Sequence, residues 1–385
     1  MRGQTLLPRD YDVFAGLDVD KRTLAVTFLN HHGFLRSVRM PYSVDHLLSH
    51  VRKHFGDQKV AFAYEAGPTG YGLYDGLTAQ AYPCVVAAPA MIPRAPGQRV
   101  KTNRLDSVSL AENLRGGQLR SIHVPAPIYR ELRHLTQLRD TFVRQQAGMK
   151  LRVKALLLFE GLPFPTAPPG GQSQWSARVI AELRALPCAG VVRFKLDQLL
   201  DSIQFTTQQV RQTTRAIRQR CQTDPELARC IGYIRTVPGM GWIVASQLLA
   251  RLGDWREIRH GRQVAGFLGV VPAEFSTGAT VARGGITHTG DGRLRSKLVQ
   301  AAWVAVRKDP EVRAFYHRVY RSHPPDRAAR IAIVAAAHKL SLRVAAVLRQ
   351  QRPYVVRDSA PGTQAETMPQ GTPRRRAEPG AAPGS

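Results

Sequence analysis

Two uninterrupted apolar runs, Val13–Leu17 and Val60–Tyr64, each end in a carboxylate, Asp18 and Glu65. A short continuous apolar run reads as a buried strand, so each acid sits where a strand leaves the core. Glu65 is the more demanding of the two: it precedes Ala66-Gly67-Pro68, and an unpaired charge there is costly without a partner such as a metal ion. The surrounding pattern is a three-strand meander, Val13–Val19, Thr23–Leu29 and Phe34–Met40, the last following the turn His31-His32-Gly33. An amphipathic helix, Val44–Phe55, comes next, with Ser43 as its cap and Leu47, Leu48, Val51 and Phe55 on one face. After the strand Val60–Tyr64, a glycine-rich turn and helix over Thr69–Ala79 lead to a strand at Cys84–Ala88. The order βββαβαβα predicts an α/β domain over residues 11–120.

A third carboxylate, Asp106, closes the polar turn Lys101-Thr102-Asn103-Arg104-Leu105-Asp106 before a helix-like stretch, Ser107–Leu114. Carboxylates at two strand ends and a helix start can converge on a divalent ion. Mg²⁺, or Mn²⁺ in its place, takes hard oxygen ligands and keeps phosphate oxygens and waters in its shell, which suits phosphodiester chemistry. Each acid also has a plainer reading. Asp18 suits a solvated turn, with Asp20 two positions on, on the same face and able to substitute for it. Asp106 suits a cap for the helix starting at Ser107. Their combination carries more weight than any one.

Charge narrows the partners. The chain of 385 residues carries 55 Lys+Arg against 28 Asp+Glu, a net charge of +27 and a pI near 10.9. Arginines spread over every region predict an extended surface for phosphate backbones, DNA above all. A membrane-surface role would concentrate the charge on one amphipathic helix, which the sequence does not show, and no apolar stretch reads as a span. Cys84, Cys188, Cys221 and Cys230 lack metal-ligand or framework spacing and read as reduced thiols. With a polar N-terminal segment rather than a signal peptide, the expected location is the cytoplasm.

Beyond residue 128 the pattern turns helical. Leu132, Leu135, Leu138 and Phe142, then Val192, Leu196, Leu199 and Ile203, recur at near-heptad spacing. Two long helices, separated by the proline- and glycine-rich stretch Gly161–Gln174, predict a coiled-coil spacer over 128–232, closed within one subunit or between two. A mostly helical unit over 233–352 opens with Pro238-Gly239-Met240-Gly241, an element like a helix-hairpin-helix, in which the amides of Gly239 and Gly241 can meet a phosphate; the plainer reading is an ordinary turn. The segment Ala273–Ile286 reads as a hairpin or loop holding Ser276-Thr277-Gly278, with Arg283, His288, Arg293, Arg295 and Lys297 downstream as phosphate contacts or a solvated basic face. Lys101 and Arg104 are further candidate nucleic-acid contacts, and residues 357–385 read as a disordered basic tail.

Six segments in order, Gly16-Leu17-Asp18, Tyr64-Glu65-Ala66, Lys101–Asp106, Pro238–Gly241, Gly269-Val270-Val271-Pro272 and Ser276-Thr277-Gly278, make the chain resemble the insertion sequence 110 family of transposases. The resemblance implies an N-terminal ribonuclease-H-like (RuvC-like) domain with an Asp-Glu-Asp-Asp metal site, a coiled-coil spacer, and a C-terminal transposase domain with a serine nucleophile. It also implies a structured non-coding guide RNA pairing with donor and target DNA, a covalent 5′-phosphoserine link, and a homodimer or homotetramer whose composite site draws on two subunits. The family's third acid falls on Asn103, so the metal set reads Asp18, Glu65, Asn103 and Asp106, with an amide in place of one charge. The nucleophile position falls on Thr277 without a gap and on Ser276 one residue earlier. Two other outcomes stay open: a catalytically impaired nucleic-acid-binding derivative, and a site-specific DNA invertase.

Overall fold

The structure, a computed structural model, describes residues 6–93, 103–165, 174–274, 283–287 and 289–356. Its contacts divide the chain into two units, one of Met1–Thr223 with Ser246–Gln263, the other of Asp224–Ala245 with Val264–Ser385.

The first unit is built on a five-stranded sheet of β1 (Val13–Val19), β2 (Thr23–Asn30), β3 (Gly33–Pro41), β4 (Val60–Glu65) and β5 (Cys84–Ala87), ordered β3-β2-β1-β4-β5. The first three strands pair antiparallel, and β4 and β5 join β1 in parallel. Side chains alternate across a strand, and β1 serves two cores. Val13, Ala15 and Leu17 pack with α1 (Val44–Phe55) and α2 (Gly72–Ala79), while Phe14 packs on the opposite face with Leu110 and Leu114 of α3 (Asn103–Arg115). Ser43 caps α1 as its sequence predicts, its hydroxyl accepting from His46 N–H at 3.3 Å.

The helix α3 lies against the backbone of β1. A Cβ built on Gly16 would stand 2.1 Å from the Ser107 carbonyl oxygen and 2.4 Å from the Ala111 nitrogen, so only glycine fits there. Beside this contact Thr27 Oγ1, fully buried, shares hydrogen bonds with Ser107 Oγ at 2.9 Å and Ser37 Oγ at 2.8 Å. Three hydroxyls thus join α3 to β2 and β3, satisfying polar atoms that burial would otherwise penalise.

Also in this unit, α4 (Pro127–Phe159) and α6 (Gly190–Thr223) run antiparallel, since Glu131 meets Arg220, Arg139 meets Thr214 and Gln146 meets Thr207. A short helix unforeseen in the sequence, α5 (Ala177–Arg184), fills the end of the pair with Val179, Ile180 and Leu183. The segment 246–263 is held by side chains of the first unit. Arg133 donates to the carbonyls of Ala250 and Arg251 at the end of α8 (Trp242–Leu252), where helix carbonyls lack partners of their own. His123 Nδ1 lies 2.9 Å from Glu257.

The second unit contains α7 (Pro225–Thr236), part of α9 (Gly261–Phe267), the pair β6 (Pro272–Glu274) and β7 (Arg283–Ile286), α10 (Gly292–Lys308), α11 (Pro310–Arg321) and α12 (Pro325–Gln350). By length and composition α12 would suffice to cross a membrane, contrary to the sequence expectation of no such stretch. Leu340, Val344 and Leu348 are buried, as in the core helix of a folded unit. The unit is fastened by a fully buried carboxylate, Asp309. It accepts from Glu311 N–H at 3.0 Å and Val312 N–H at 3.1 Å, capping α11, and from Tyr354 Oη–H at 2.8 Å and the Arg343 guanidinium.

Two consequences are measurable. Gly16→Ala forces α3 off the sheet, with an expected loss of about 3 kcal/mol in urea denaturation. Arg343→Ala takes the guanidinium away from the buried Asp309, and about 3–5 kcal/mol is expected to be lost in the same measurement.

Candidate active site

The Gly16 contact decides where Asp106 stands. Because α3 begins at Asn103 rather than at Ser107, Asp106 lies inside its first turn and is not the capping residue before the helix that its sequence context suggests. An acid in the first turn is favoured by the partial positive charge of the helix start. Ser107, the next residue, is the one clamped to Thr27, so Asp106 is fixed at the sheet edge.

In the sheet, Leu17 is paired with Tyr64, which places Asp18 and Glu65 side by side at the ends of neighbouring parallel strands. Asp18 follows Gly16 by two and so shares the α3 face. The Asp18 carboxyl is held above its ordinary range, first by burial and then by the charges of Asp106, Asp20 and Glu65. The structure thus places Asp106, Glu65 and Asp20 near enough for their charges to act on Asp18. Asp18 and Asp106 are half-buried and Glu65 is exposed. Among the described residues none of these acids makes an ion pair, and no three His, Cys, Asp or Glu side chains are close enough to form a metal-holding cluster. The donor chemistry nevertheless fits a hard divalent cation: carboxylate oxygens that repel one another at one sheet edge.

Asn103 is the first residue of α3, one turn before Asp106; its side chain and that of Arg104 lie outside the described residues, as does Lys101. Ser276, Thr277 and His288 also lie outside them, as does the Arg283 side chain, although β6 and β7 pair antiparallel on either side of the Ser-Thr-Gly segment. Arg293 is exposed on α10. Arg295 is engaged within the fold, where its Nη1 donates to the carbonyls of Leu268 at 3.1 Å and Thr289 at 3.0 Å. Lys297 lies one turn after Arg293 on α10.

The Pro238–Gly241 turn, read from sequence as a phosphate contact or an ordinary turn, is shaped by the packing around it. A Cβ on Gly239 would meet the Ala301 carbonyl at 2.2 Å, so this glycine answers to the packing of α10. Met240 N–H donates to Val237 and Gly241 N–H to Gly239, which leaves these two amides engaged inside the turn. The turn instead borders a cavity of about 480 Å³ with Arg235 and Lys308 in its lining.

Sequence reasoning missed the clamp that positions Asp106. Its signal was present as a lone glycine inside an apolar strand and a threonine at a core position of the next one, a pattern that marks close backbone approach.

Comparison with known proteins is consistent with this geometry. Residues 15–160 match the family model described as a transposase of the DEDD IS110 type, and residues 232–317 match that of the transposase IS116/IS110/IS902 family. "Putative transposase y4qE" of Sinorhizobium fredii (strain NBRC 101917 / NGR234) is 34% identical over 301 residues, spanning 76% of this chain and 72% of its own. The transposase for insertion sequence element IS1533 of Leptospira borgpetersenii is 23% identical, over 89% of this chain and 97% of its own. The pilin gene-inverting protein of Moraxella bovis is 28% identical over 156 residues, 40% of this chain and 48% of its own.

The raised Asp18 carboxyl has a sign that can be tested. Its folded-state pKa exceeds the unfolded one, so the folded state binds the proton more tightly and loses stability as pH rises through the carboxylate range. Asp18→Asn is therefore expected to raise the thermal midpoint of the metal-free protein at neutral pH and to leave it unchanged below that range. Adding Mg²⁺ or Mn²⁺ should raise the wild-type midpoint, and this gain should shrink in Asp18→Asn.

With a relative of this identity and coverage, and with two family models matching, the chain belongs to the IS110/IS116 family of insertion-sequence transposases, enzymes that recombine DNA.

Proposed function

We propose that this transposase cuts and rejoins DNA through a covalent protein–DNA link, with its N-terminal carboxylates serving a divalent ion and a hydroxyl of Ser276 or Thr277 serving as nucleophile. The observation that carries the reading is that the charges of Asp106 and Glu65 act on the Asp18 carboxyl at the end of β1, inside the segment matched by the DEDD family model. Asp18, Glu65 and Asp106, with the amide of Asn103, would hold Mg²⁺ or Mn²⁺. When bound, the ion supplies positive charge against the scissile phosphate. Asn103 contributes an oxygen without a charge, which lowers affinity for the ion relative to a fourth acid.

In the covalent step the Ser276 or Thr277 oxygen bonds to phosphorus while the bond from phosphorus to the 3′ oxygen breaks. The hydroxyl proton passes to that departing oxygen, leaving a 3′-OH and a 5′-phosphoryl link to the protein. Attack by the 3′-OH of another strand reverses these changes, so the phosphodiester energy is conserved and no external source is needed.

A structured non-coding RNA encoded beside the gene is the proposed guide, reading donor and target by base pairing. The net charge of +27 supports an RNA partner as well as DNA. A homodimer or homotetramer is supported by Leu158, Phe159, Val191 and Phe194, exposed at one end of the α4/α6 pair. The likeness to the pilin gene-inverting protein favours a second reading, inversion of a DNA segment by the same chemistry.

Two measurements test this. Expressed with its native flanking DNA, the protein should copurify one discrete RNA mapping to the flanks; heterogeneous cellular RNA alone would remove the guide. With DNA carrying the element's ends and Mn²⁺, a denaturation-resistant protein–DNA adduct should form, disappear in Asp18→Asn, and disappear in one of Ser276→Ala and Thr277→Ala. An adduct that survives both hydroxyl substitutions would sink the covalent step.

A further inference from the structure

The strand register sets a row of residues across the α3 face of the sheet. Asp18 on β1 is paired with Ala25 on β2, and Ala25 with Arg39 on β3. Glu65 extends the row on the far side of Asp18, since the preceding pair is Leu17 with Tyr64. Directly paired residues share a face, so Arg39, Ala25, Asp18 and Glu65 form one line, with Arg39 two strands from Asp18, about 10 Å at ordinary strand spacing.

Ala25 is the low point of that line. Beside it lies a cavity of about 560 Å³ lined on this face by Ala25, Ser37, Arg39 and Ser107, and also touched by Val26, Val38, Phe34 and Arg36. Two of its lining residues adjoin the acids directly: Ala25 is the register partner of Asp18, and Ser107 follows Asp106. The hydroxyls of Ser37 and Ser107 are anchored through Thr27, which makes this wall rigid. Arg39 is exposed, makes one hydrogen bond of 3.3 Å to Thr23 Oγ1, and forms no ion pair among the described residues. Phe34, on the same strand, is 57% exposed.

We propose that this cavity is a subsite for the DNA strand being cut, in which Arg39 binds a backbone phosphate one or two nucleotides from the scissile one. The proposal rests on the assignment of the carboxylates as the cutting site. Arginine suits this role because its planar fork pairs with phosphate oxygens through two donors. A phosphate here carries the strand past Ala25, the smallest side chain of the row, and on to the carboxylates. The opposite charges at the two ends of the row then divide the work: Arg39 holds a phosphate outright, while the acids accept one only through a cation. A plainer role for Arg39 exists, since a charged residue on β3, the sheet's edge strand, also deters edge-to-edge pairing.

The test uses the full chain, Mn²⁺ and DNA carrying the element's ends, with a single neutral methylphosphonate placed in turn at each of the two phosphates on either side of the cut. Wild type should lose about tenfold in kcat/KM, mostly through KM, at one of these positions. Arg39→Ala should show the same loss on unmodified DNA and no further loss at that position, and Arg39→Lys should recover part of it. Asp18→Asn should abolish cutting on every substrate. If Arg39→Ala cuts as wild type does, or if its loss adds fully to that of every methylphosphonate, the subsite is wrong while the cutting site stands. If Asp18→Asn still cuts, the assignment of the cutting site falls and the subsite with it.

Discussion

The candidate site of this protein depends on the contact between the α3 backbone and Gly16. A helix resting on a strand without an intervening side chain is closer than ordinary packing allows, and that closeness carries Asp106 to the end of β1, beside Asp18. Strand pairing alone brings Asp18 to Glu65, because parallel neighbours end in register. The helix has no such constraint, and it is fixed instead by an absent Cβ and by the three hydroxyls of Ser37, Thr27 and Ser107. Both devices resist sliding: the first by steric exclusion, the second by the cost of unmaking buried hydrogen bonds.

Much of this was legible in the sequence, for physical reasons that differ by element. The meander and β4 were readable because a two-residue period or a continuous apolar run leaves little choice of structure, and Ser43 announced α1 through its cap. The start of α3 lies four residues earlier than the sequence pattern indicates. A polar first turn has no apolar periodicity, and the residues Asn103 to Asp106 are as good in a loop as in a helix start. Two long helices on either side of the proline-rich break were readable from their apolar spacing, while their pairing within one chain was not, and α5 lay hidden because a helix of 8 residues shows barely two turns of pattern. For the candidate site, the identity of the acids could be read, but the row that includes Arg39 could not, since register between β2 and β3 is a property of the folded sheet.

The second unit shows how differently glycines of one motif can act. Gly239 and Gly241 look interchangeable in Pro-Gly-Met-Gly. Yet the first is demanded by the Ala301 carbonyl at 2.2 Å, while a Cβ on the second would meet nothing within 4 Å. Gly269 and Gly290, both at positive φ, answer in the same way to the backbones of Thr289 and Phe267, and Arg295 closes that loop by donating to two carbonyls. These contacts pack the turn before β6 against the segment that follows β7, backbone against backbone.

The two units also hold carboxylates in opposite ways, and the contrast bears on what each acid is for. Asp309 is fully buried and surrounded by donors, two amides, a phenol and a guanidinium, so its charge is compensated within the fold. Removing any of these partners leaves a charge that the core cannot solvate. Asp18 stands at a sheet edge with Asp20, Glu65 and Asp106 as its charged neighbours, all of the same sign, and its proton affinity rises accordingly. A fold gains nothing from that arrangement by itself, since each of these acids would be more comfortable apart. The repulsion is tolerable because the site is half open to water, and it becomes favourable only when a cation enters. In the proposed metal site, Asn103 in place of a further acid would bring an oxygen without a charge, so it would weaken the hold on a cation without changing the kind of chemistry proposed there.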